Sequence, residues 1–296
     1  MEKVKRVELS IIILTYNSLG FIEGCLNSVY KYNDLPEGEL EIIVVDNSDA
    51  VEGQKIKTLL SEKYPSVRFI KNKNLGYGQG NNVGIKEARG RIVSVMNPDV
   101  ELVEPLFRKV LNQFAHHPKL AMLGGKQIGR LDISTYFRPE KEIFILTLVL
   151  GVLCNRLNYY NPHLMFLSGA FLFLDKAKFE EIGLFDENLF LYCEEPDITI
   201  RFLKRGYTTY YDKSFRYNHL IGDRDDFSEF TFQESIKSIN YYFKKHNFNL
   251  SFYYKQKKIS YFIKYQIHKL LGQKDKAETS FIYYHKYRDT YRQDIS

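Results

Sequence analysis

Short apolar runs alternate with segments of helical periodicity through the first hundred residues. Residues 9–14 form a continuous β-branched apolar run, as expected for a parallel strand that is buried on both faces. Residues 21–30 repeat apolar side chains at helical spacing instead. The alternation continues, with further strands predicted at 41–45, 67–71 and 92–96 and further helices at 53–63 and 81–88. This order predicts an α/β fold with a Rossmann-like, mostly parallel central sheet flanked by helices.

The second half of the chain has a less regular pattern. Helices are predicted at 105–116 and 196–205, and Pro196 is expected at the first helical position, where its missing N–H breaks no hydrogen bond. Residues 166–174 and 207–211 have the composition of strands. The second half therefore adds strands and helices to the sheet without the strict alternation of the first.

Charge and aromatic side chains are concentrated at the C-terminal end, where the pattern becomes helical. The chain has a net charge of +6, and residues 236–296 alone hold 13 Lys and Arg against 4 Asp and Glu. The remainder is near neutral, so no nucleic-acid partner is expected. The basic segment predicts contact with an anionic membrane surface or a homodimer interface, and a solvated basic helix face is the alternative.

The longest predominantly apolar run, residues 143–154, is too short to span a bilayer. A buried helix is the more common outcome for such a run, and an interfacial segment is the alternative. No signal peptide precedes the first strand, and Cys25, Cys154 and Cys193 fit neither a zinc site nor a disulfide framework. We therefore expect a cytoplasmic protein, either free or peripheral on the inner face of the cell membrane.

Polar residues follow the first two predicted strands. Thr15, Tyr16 and Asn17 come after the first strand, and Asp46 comes after the second. Because ligands of open α/β sheets bind at the carboxyl ends of the strands, we expect these residues to face one site. The pattern suggests a pocket for a nucleotide-sugar.

The fourth strand is followed by the turn Asn97-Pro98-Asp99. A carboxylate in this place is a candidate ligand for Mg²⁺ or Mn²⁺, whose remaining ligands a diphosphate supplies, although an ordinary turn is the alternative. His219 follows a predicted strand, beside the acidic residues 222–226. It is either a structural histidine or a second metal ligand beside Asp99.

A glycine-rich stretch, residues 74–82, precedes the third helix. Closely spaced glycines let the backbone approach a ligand, and a helix start offers N–H donors to phosphate. The spacing is neither the dinucleotide-binding fingerprint nor a P-loop, so a plain loop is the alternative.

Two adjacent carboxylates, Glu194 and Glu195, stand with Asp197 where a helix is predicted to begin. Neighbouring carboxylates repel each other, so one holds its proton more strongly, which suits a general base. Capping of the helix N-terminus is the alternative.

Taken in order, these motifs resemble the family 2 glycosyltransferases of the GT-A fold, most closely the bacterial rhamnosyltransferase-like branch. The likeness covers about residues 7–245. The matching segments are 10–17 (SIIILTYN), 43–48 (IVVDNS), 74–78 (NLGYG), 81–84 (NNVG), 96–100 (MNPDV), 168–170 (SGA), 183–187 (GLFDE), 194–197 (EEPD) and His219.

The resemblance implies a role for each matching residue. The donor nucleotide would be bound by residues of the first motifs, with Asp46 on its base or ribose; these are Thr15, Tyr16, Asn17, Asp46, Asn74, Gly76, Tyr77, Gly78, Asn82 and Asn97. Asp99 would bind the metal in place of the family's Asp-x-Asp motif, together with His219. Glu195 would be the base, although the family has Glu-Asp at this place, so Glu194 and Asp197 stay candidates.

The resemblance also implies an inverting transfer of a sugar from dTDP-rhamnose or a UDP-sugar to a hydroxyl of a glycan or lipid-linked glycan in bacterial surface polysaccharide synthesis. Residues 1–225 would form the catalytic domain, with a nucleotide-sugar half at 1–100 and an acceptor half at 101–225. Residues 226–296 would be a helical, basic, aromatic-rich extension.

Two other functions fit parts of the sequence. A non-catalytic nucleotide-sugar-binding scaffold of a polysaccharide synthase would most simply lack the metal ligand or the base, and both are present here. A nucleotidyltransferase would need a basic, glycine-rich loop after the first strand, where residues 15–18 have no Lys or Arg.

Overall fold

The computed structural model describes residues 6–129, 132–143, 146–220 and 227–295, without the side chains of 292–295. In the first half, strands and helices alternate close to the predicted bounds. The elements of this half are β1 (Leu9–Thr15), α1 (Leu19–Lys31), β2 (Leu40–Asp46), α2 (Ala50–Lys63), β3 (Arg68–Lys71), α3 (Tyr77–Glu87), β4 (Ile92–Met96) and β5 (Val100–Leu102).

The second half confirms the predicted helices near 105–116 and 196–205 and the helical C-terminal segment. Its elements are α4 (Phe107–His116), β6 (Leu120–Ile128), β7 (Thr135–Phe137), α5 (Leu146–Arg156), β8 (Met165–Leu167), β9 (Phe171–Asp175), α6 (Lys176–Glu181), α7 (Glu194–Lys204), β10 (Thr208–His219), α8 (Glu229–His246), α9 (Leu250–Leu270) and α10 (Lys274–Ile295).

Two predictions for the second half were wrong in detail. The run 166–174 is not one strand, because Ser168-Gly169-Ala170 separates β8 from β9 and the two belong to different sheets. Helix α7 begins at Glu194 rather than at Pro196. Proline is tolerated throughout the first turn of a helix, so its place did not fix the first residue. The acidic pair therefore lies inside the first turn of α7.

The main sheet has eight strands in the order β3-β2-β1-β4-β9-β6-β10-β5. Neighbours are parallel except where β9 lies between β4 and β6 and where β5 pairs with the end of β10. The sheet is therefore curled and mostly parallel, as predicted. In the register of β1 with β2, Thr15 is paired with Asp46, so their side chains meet at the carboxyl edge.

Hydrophobic side chains cover both faces of the sheet. Along β1, Ile11 and Ile13 belong to one buried cluster and Ile12 to the other, because successive strand side chains point to opposite faces. A third buried cluster joins α7 to the C-terminal helices through Ile200 and Phe243. Burial on both faces explains why the first strands read as continuous apolar runs.

Helix α5 contradicts the expectation of a buried helix at 143–154 in the part that the structure describes. Its apolar side chains are exposed; Val149 is 60% exposed and Val152 59%. The buried residues of α5 are the polar Thr147 and Asn155. Apolar composition alone did not show which face of the helix would meet the protein. No described helix is both long and apolar enough to cross a membrane.

Candidate active site

Thr15 and Asp46 meet at the carboxyl ends of β1 and β2. The Thr15 hydroxyl donates to Oδ1 of Asp46 at 2.9 Å, and Nζ of Lys71 donates to Oδ2 at 2.6 Å. Burial alone would raise the pKa of Asp46, but the bonds from Lys71, Ser48 and Thr15 hold it below its usual value. Asp46 is fully buried, so it supports the wall of the predicted pocket in this conformation.

Tyr16 and Asn17 follow this pair at the surface. Tyr16 is 58% exposed, and Asn17 has a left-handed backbone with φ 52°. The N–H of Asn17 donates to Oγ of Ser48 at 2.9 Å, which ties the first strand end to the second. The exposed ring of Tyr16 is free to stack on a flat ligand.

A row of amide side chains extends this edge and includes residues that the sequence did not single out. Nδ2 of Asn72 donates to Asn47 and to Gln79, each at 2.8 Å, and Asn47 contacts Asn74 at 3.4 Å. Lys71 was also missed. Asn47 and Asn72 directly follow β2 and β3, and that position is the signal that could have identified them, whereas Gln79 lies in α3.

The glycines of the stretch 74–82 pack against the chain. Gly76 has φ 110°, and a Cβ there would lie 2.5 Å from the carbonyl oxygen of Phe190. A Cβ on Gly78 would lie 2.9 Å from Cβ of Phe185. These glycines allow the start of α3 to lie against the segment that leads to Glu194. Their contact with the donor stays a prediction.

Asn82 and Tyr77 lie on the same helix but have different surroundings. The amide of Asn82 is buried and bonded to both backbone groups of Phe185 and to Glu187, so it holds the loop before α7. Tyr77 donates to the carbonyl oxygen of Gly169 at 2.9 Å and lines the central cavity. Burial and the charges of Glu195 and Glu194 raise its pKa.

Asp99 and His219 are brought together from distant parts of the chain by the pairing of β5 with β10. Nε2 of His219 lies 3.2 Å from Oδ1 of Asp99, yet it is buried without a hydrogen bond. Nδ1 of His219 is 3.1 Å from Oε1 of Gln127, which orients the ring. An imidazole nitrogen without a hydrogen bond beside a carboxylate fits a divalent cation.

The described residues contain no group of three or more His, Cys, Asp or Glu that could hold a metal ion without further ligands. The Asp99–His219 pair therefore fits a metal only if a ligand such as a diphosphate completes its coordination. The acidic residues 222–226, which the sequence places beside His219, lie outside the described residues.

The acidic pair is presented by a strained turn at the start of α7. Tyr192 and Cys193 have φ of 74° and 71°, a backbone that side chains rarely adopt. Oε1 of Glu194 is buried without a hydrogen bond, and burial together with the charge of Glu195 raises the pKa of Glu194 well above its usual value. Of the two carboxyl groups, Glu194 is thus shifted more strongly towards its protonated form.

Glu195 is less enclosed and lies against the backbone of Gly169. Burial raises its pKa, while its own N–H and that of Gly169 stabilise the carboxylate. A Cβ on Gly169 would lie 1.8 Å from Oε1 of Glu195, so only glycine leaves room for this carboxylate. Glu195 is the better placed of the two to accept a proton from a ligand in the cavity.

Asp197, the third candidate base, is fully buried and paired with cations. Its carboxylate is 2.7 Å from Nη2 of Arg201, 2.7 Å from Nζ of Lys245 and 2.8 Å from Nε2 of His246. Burial opposes its ionisation, but His246, Arg201 and Lys245 hold its pKa below the usual value. Asp197 joins α7 to α8, and its pairing with three cations supports a structural role.

A cavity of about 490 Å³ brings several predicted residues together, including Tyr77, Asn97, Glu194, Glu195 and His219. Its other walls include residues that the sequence did not nominate. These are Tyr136, Ser168, Gly169, Tyr192, Ser235, Ile239, Tyr253 and Tyr287. The last four come from α8, α9 and α10, and Tyr192 comes from the turn before α7. The C-terminal helices thus form part of the cleft, while the predicted boundary at 225 lies outside the described residues.

The sequence model of glycosyl transferase family 2 matches residues 10–183, which include every strand from β1 to β9 and the polar residues at the ends of β1, β2 and β4. The chain belongs to this family. The Asp99 turn lies inside the matched region, whereas the acidic pair and His219 follow it.

Two curated relatives illustrate the range of similarity. The low-salt glycan biosynthesis hexosyltransferase Agl10 of Haloferax volcanii is 26% identical over 201 residues, 66% of this chain and 61% of that protein. The rhamnosyltransferase WbbL of Escherichia coli is 21% identical over 244 residues, 77% of this chain and 89% of that protein. The chain therefore spans less than two thirds of the length of the hexosyltransferase.

Solved structures show the fold. A mannosyltransferase from Pyrobaculum calidifontis, in complex with GDP-Man and Mn²⁺, has a TM-score of 0.57 and 16% identity, covering 81% of this chain and 65% of that one. TarS of Staphylococcus aureus has a TM-score of 0.56 and 20% identity, covering 86% and 42%. The fold is that of the GT-A glycosyltransferases, as the resemblance implied.

Proposed function

We propose that this chain is an inverting glycosyltransferase that moves a sugar from a nucleotide-diphosphate donor to a hydroxyl of a glycan or lipid-linked glycan in bacterial surface polysaccharide synthesis. One observation carries the proposal. A single cavity contains both Glu195, a carboxylate with a raised pKa, and His219, whose buried Nε2 faces Asp99. Sugar transfer needs a base for the acceptor and a group that stabilises the leaving diphosphate.

Glu195 is the residue that we propose as the base. Its carboxylate accepts the proton of the acceptor hydroxyl, and the acceptor oxygen forms a bond to the anomeric carbon. The bond from that carbon to the diphosphate oxygen breaks, and the nucleoside diphosphate leaves with the electron pair. Attack opposite the leaving group inverts the anomeric centre. Glu194, which keeps its proton, prevents a second negative charge beside the base.

Asp99 and His219 are the residues that we propose to hold Mg²⁺ or Mn²⁺. The ion, when bound with the donor, neutralises the charge that develops on the diphosphate. Gln127 keeps Nε2 of His219 directed towards Asp99. The names of two neighbours support a metal at a nucleotide-sugar site, since one was solved with GDP-Man and Mn²⁺ and another with UDP, GalNAc and Mn²⁺.

We propose Thr15, Tyr16, Asn17, Asp46 and Asn74 as the residues around the donor nucleotide. Their place at the carboxyl ends of β1 to β3 supports this, with Tyr16 exposed for stacking. The donor is either dTDP-rhamnose or a UDP-sugar. The WbbL relative is a rhamnosyltransferase, which favours the first. A cytoplasmic location at the inner face of the membrane also stays a prediction.

The test is a panel of UDP-, dTDP- and GDP-sugars, with and without Mn²⁺, assayed for binding and for hydrolysis or transfer. We expect metal-dependent turnover of one donor by the wild type. Asp99→Ala is expected to lose donor binding. Glu195→Gln is expected to bind the donor but to lose turnover by roughly a hundredfold or more, the usual contribution of a general base.

Glu62→Gln, an exposed substitution on α2, is the matched control and is expected to behave as the wild type. Absence of donor binding under all conditions would contradict the proposal. Binding that no acceptor converts to transfer would favour a scaffold, and release of pyrophosphate from a nucleoside triphosphate would favour a nucleotidyltransferase.

A further inference from the structure

Helix α5 has the opposite arrangement of apolar and polar side chains to a helix that packs on a hydrophobic core. Its apolar residues face outward and its only described buried side chains are polar. The exposed ones are Leu146 (55%), Leu148 (51%), Val149 (60%), Leu150 (37%), Val152 (59%) and Leu153 (48%). A contiguous apolar surface of this kind marks a contact with a partner or a membrane.

The helix is held in this orientation by hydrogen bonds rather than by apolar packing. Oδ1 of Asn155 accepts from the N–H groups of Ser134 and Thr135 at 2.7 and 3.1 Å, and Nδ2 donates to the carbonyl oxygen of Thr135 at 2.9 Å. Buried polar groups satisfied in this way fix one geometry. The outward direction of the apolar side chains therefore follows from a specific polar anchor.

Helix α9 extends the exposed apolar surface and adds positive charge. Ile263 and Ile267 are exposed, and their spacing of four residues places them along one side of the helix, whose end is followed by the exposed Leu271. α9 has five lysines and no acid, while α5 has one arginine and no acid. Apolar side chains combined with positive charge complement an anionic lipid surface rather than a second apolar protein face.

A cavity of about 220 Å³ lies between the two helices, lined by α5, α9 and β7. The residues that line the cavity include two lysines, Lys257 and Lys264, and one acid, Glu142. Glu142 forms an ion pair with Lys257. Among the described residues, Lys264 contacts the ring of Tyr261 at 4.8 Å and pairs with no carboxylate. Burial and the charge of Lys257 lower the pKa of Lys264 and the charge of Glu142 raises it, so the cavity holds two lysines against one acid.

The cavity also adjoins the candidate active site. Tyr136 lines both cavities, and its ring stacks on that of Phe166 with centroids 5.6 Å apart. Tyr136 is thus shared by the cavity that contains Lys264 and the cavity that contains Glu195. This is the arrangement expected if an acceptor is presented to the base from a lipid surface.

We propose that the face formed by α5 and the second half of α9 docks on an anionic lipid bilayer, and that the cavity between the helices receives the phosphate group of one lipid. The apolar side chains of α5 enter the acyl region, and the cations of α9 meet the headgroups. Delivery of a lipid-linked acceptor to Glu195 rests on the proposed function, whereas bilayer binding does not.

Vesicle flotation at low salt tests the proposal with the full chain, no donor and no turnover. We expect binding to phosphatidylcholine vesicles that contain phosphatidylglycerol and much weaker binding to phosphatidylcholine alone. Val149→Glu is expected to reduce binding about tenfold or more, because it removes an exposed apolar side chain from the proposed bilayer contact and adds a negative charge that the anionic lipids repel. Val51→Glu, at a site on α2 that is 67% exposed, is the matched control and is expected to bind as the wild type.

Lys264→Met is expected to reduce binding roughly fivefold, with recovery in Lys264→Arg, while the exposed Lys57→Met on α2 changes nothing. Vesicles doped with a polyprenyl phosphate separate the sources of the phosphate. A gain in binding that Lys264→Met abolishes identifies an acceptor-type lipid, and an unchanged affinity identifies the phospholipid headgroup.

The proposal is overturned if the wild type does not float with anionic vesicles, or if Val149→Glu floats as well as Val51→Glu. It is also overturned if the wild type is a dimer that Val149→Glu converts to a monomer while neither binds vesicles. Flotation does not measure donor turnover. A failure to bind vesicles therefore does not contradict the proposed transferase activity, and a loss of turnover does not contradict the proposed bilayer contact.

Discussion

Gly169 and Glu195 are in such close contact that a Cβ on residue 169 would lie 1.8 Å from Oε1 of the carboxylate. The carboxylate must move if any side chain is added. We therefore expect Gly169→Ala to lower kcat about a hundredfold, the effect of displacing a reacting group by about an ångström. Donor affinity and thermal stability are expected to change little, since only the end of a flexible side chain is displaced.

Gly20→Ala is the control for this substitution, because Gly20 is helical and a Cβ there would meet nothing within 4 Å. Steady-state kinetics and calorimetry on both variants give the comparison. A Gly169→Ala enzyme with wild-type kcat would show that Glu195 does not need this position, and would remove it as the base.

The raised pKa of Glu195 predicts the pH dependence of turnover. Its carboxylate must be ionised to accept a proton, so kcat/KM is expected to rise with pH through a midpoint above the usual glutamate value of about 4.3. Glu195→Gln is expected to lose this dependence together with most of the activity. Glu194→Gln is expected to keep this rise of kcat/KM with pH, because the raised pKa of Glu194 already favours its protonated form.

A pH profile for all three proteins between acid and neutral pH tests the assignment. If Glu194→Gln loses the rise of kcat/KM with pH and Glu195→Gln keeps it, Glu194 is the base and Glu195 is the protonated neighbour.

Gln127 is predicted to control metal affinity without touching the metal. Its Oε1 lies 3.1 Å from Nδ1 of His219 and holds Nε2 towards Asp99. Loss of such an outer partner usually costs 10- to 100-fold in metal affinity, so we expect Gln127→Leu to bind Mn²⁺ with UDP about tenfold more weakly. His219→Gln should be affected at least as strongly.

Mn²⁺ titration in the presence of UDP, followed by electron paramagnetic resonance, measures these affinities directly. The exposed His116→Gln on α4 is the control and is expected to match the wild type. Equal Mn²⁺ affinity in all four proteins would exclude His219 from the metal site.

Asp197 is predicted to stabilise the fold rather than to act in catalysis. Asp197→Asn leaves Arg201, Lys245 and His246 around a neutral group, and breaking a buried pair of this kind costs about 3–5 kcal/mol of unfolding free energy. The pKa of Asp197 is lower in the folded state than in the unfolded state. Its contribution is therefore complete above the usual Asp pKa of about 3.9 and is lost as the pH falls below it.

Denaturant unfolding at neutral and acid pH measures both effects. The stability difference between wild type and Asp197→Asn is expected to shrink as the pH falls through this range. Glu104→Gln, which removes an exposed pair with Arg216, should cost far less. Full stability combined with lost turnover in Asp197→Asn would restore Asp197 as a candidate base.

The sequence by itself determined the order of the elements and the edge of the sheet at which the site forms. Apolar, β-branched runs were sufficient to predict β1 to β4, because strands covered on both faces need continuous apolar residues. The polar residues that follow them, such as Thr15 and Asp46, had to meet once those strands were parallel neighbours. Local pattern also determined the helical nature of the C-terminal segment.

Only the tertiary structure decided the surroundings of residues that are chemically alike in the sequence. Glu194, Glu195 and Asp197 are equivalent acids in the sequence, but α8 supplies cations to Asp197, and Gly169 lies beneath Glu195. The outward face of α5 likewise depended on Asn155 finding partners in β7. Burial and long-range pairing are properties of contacts between distant segments, so periodicity along the chain did not contain them.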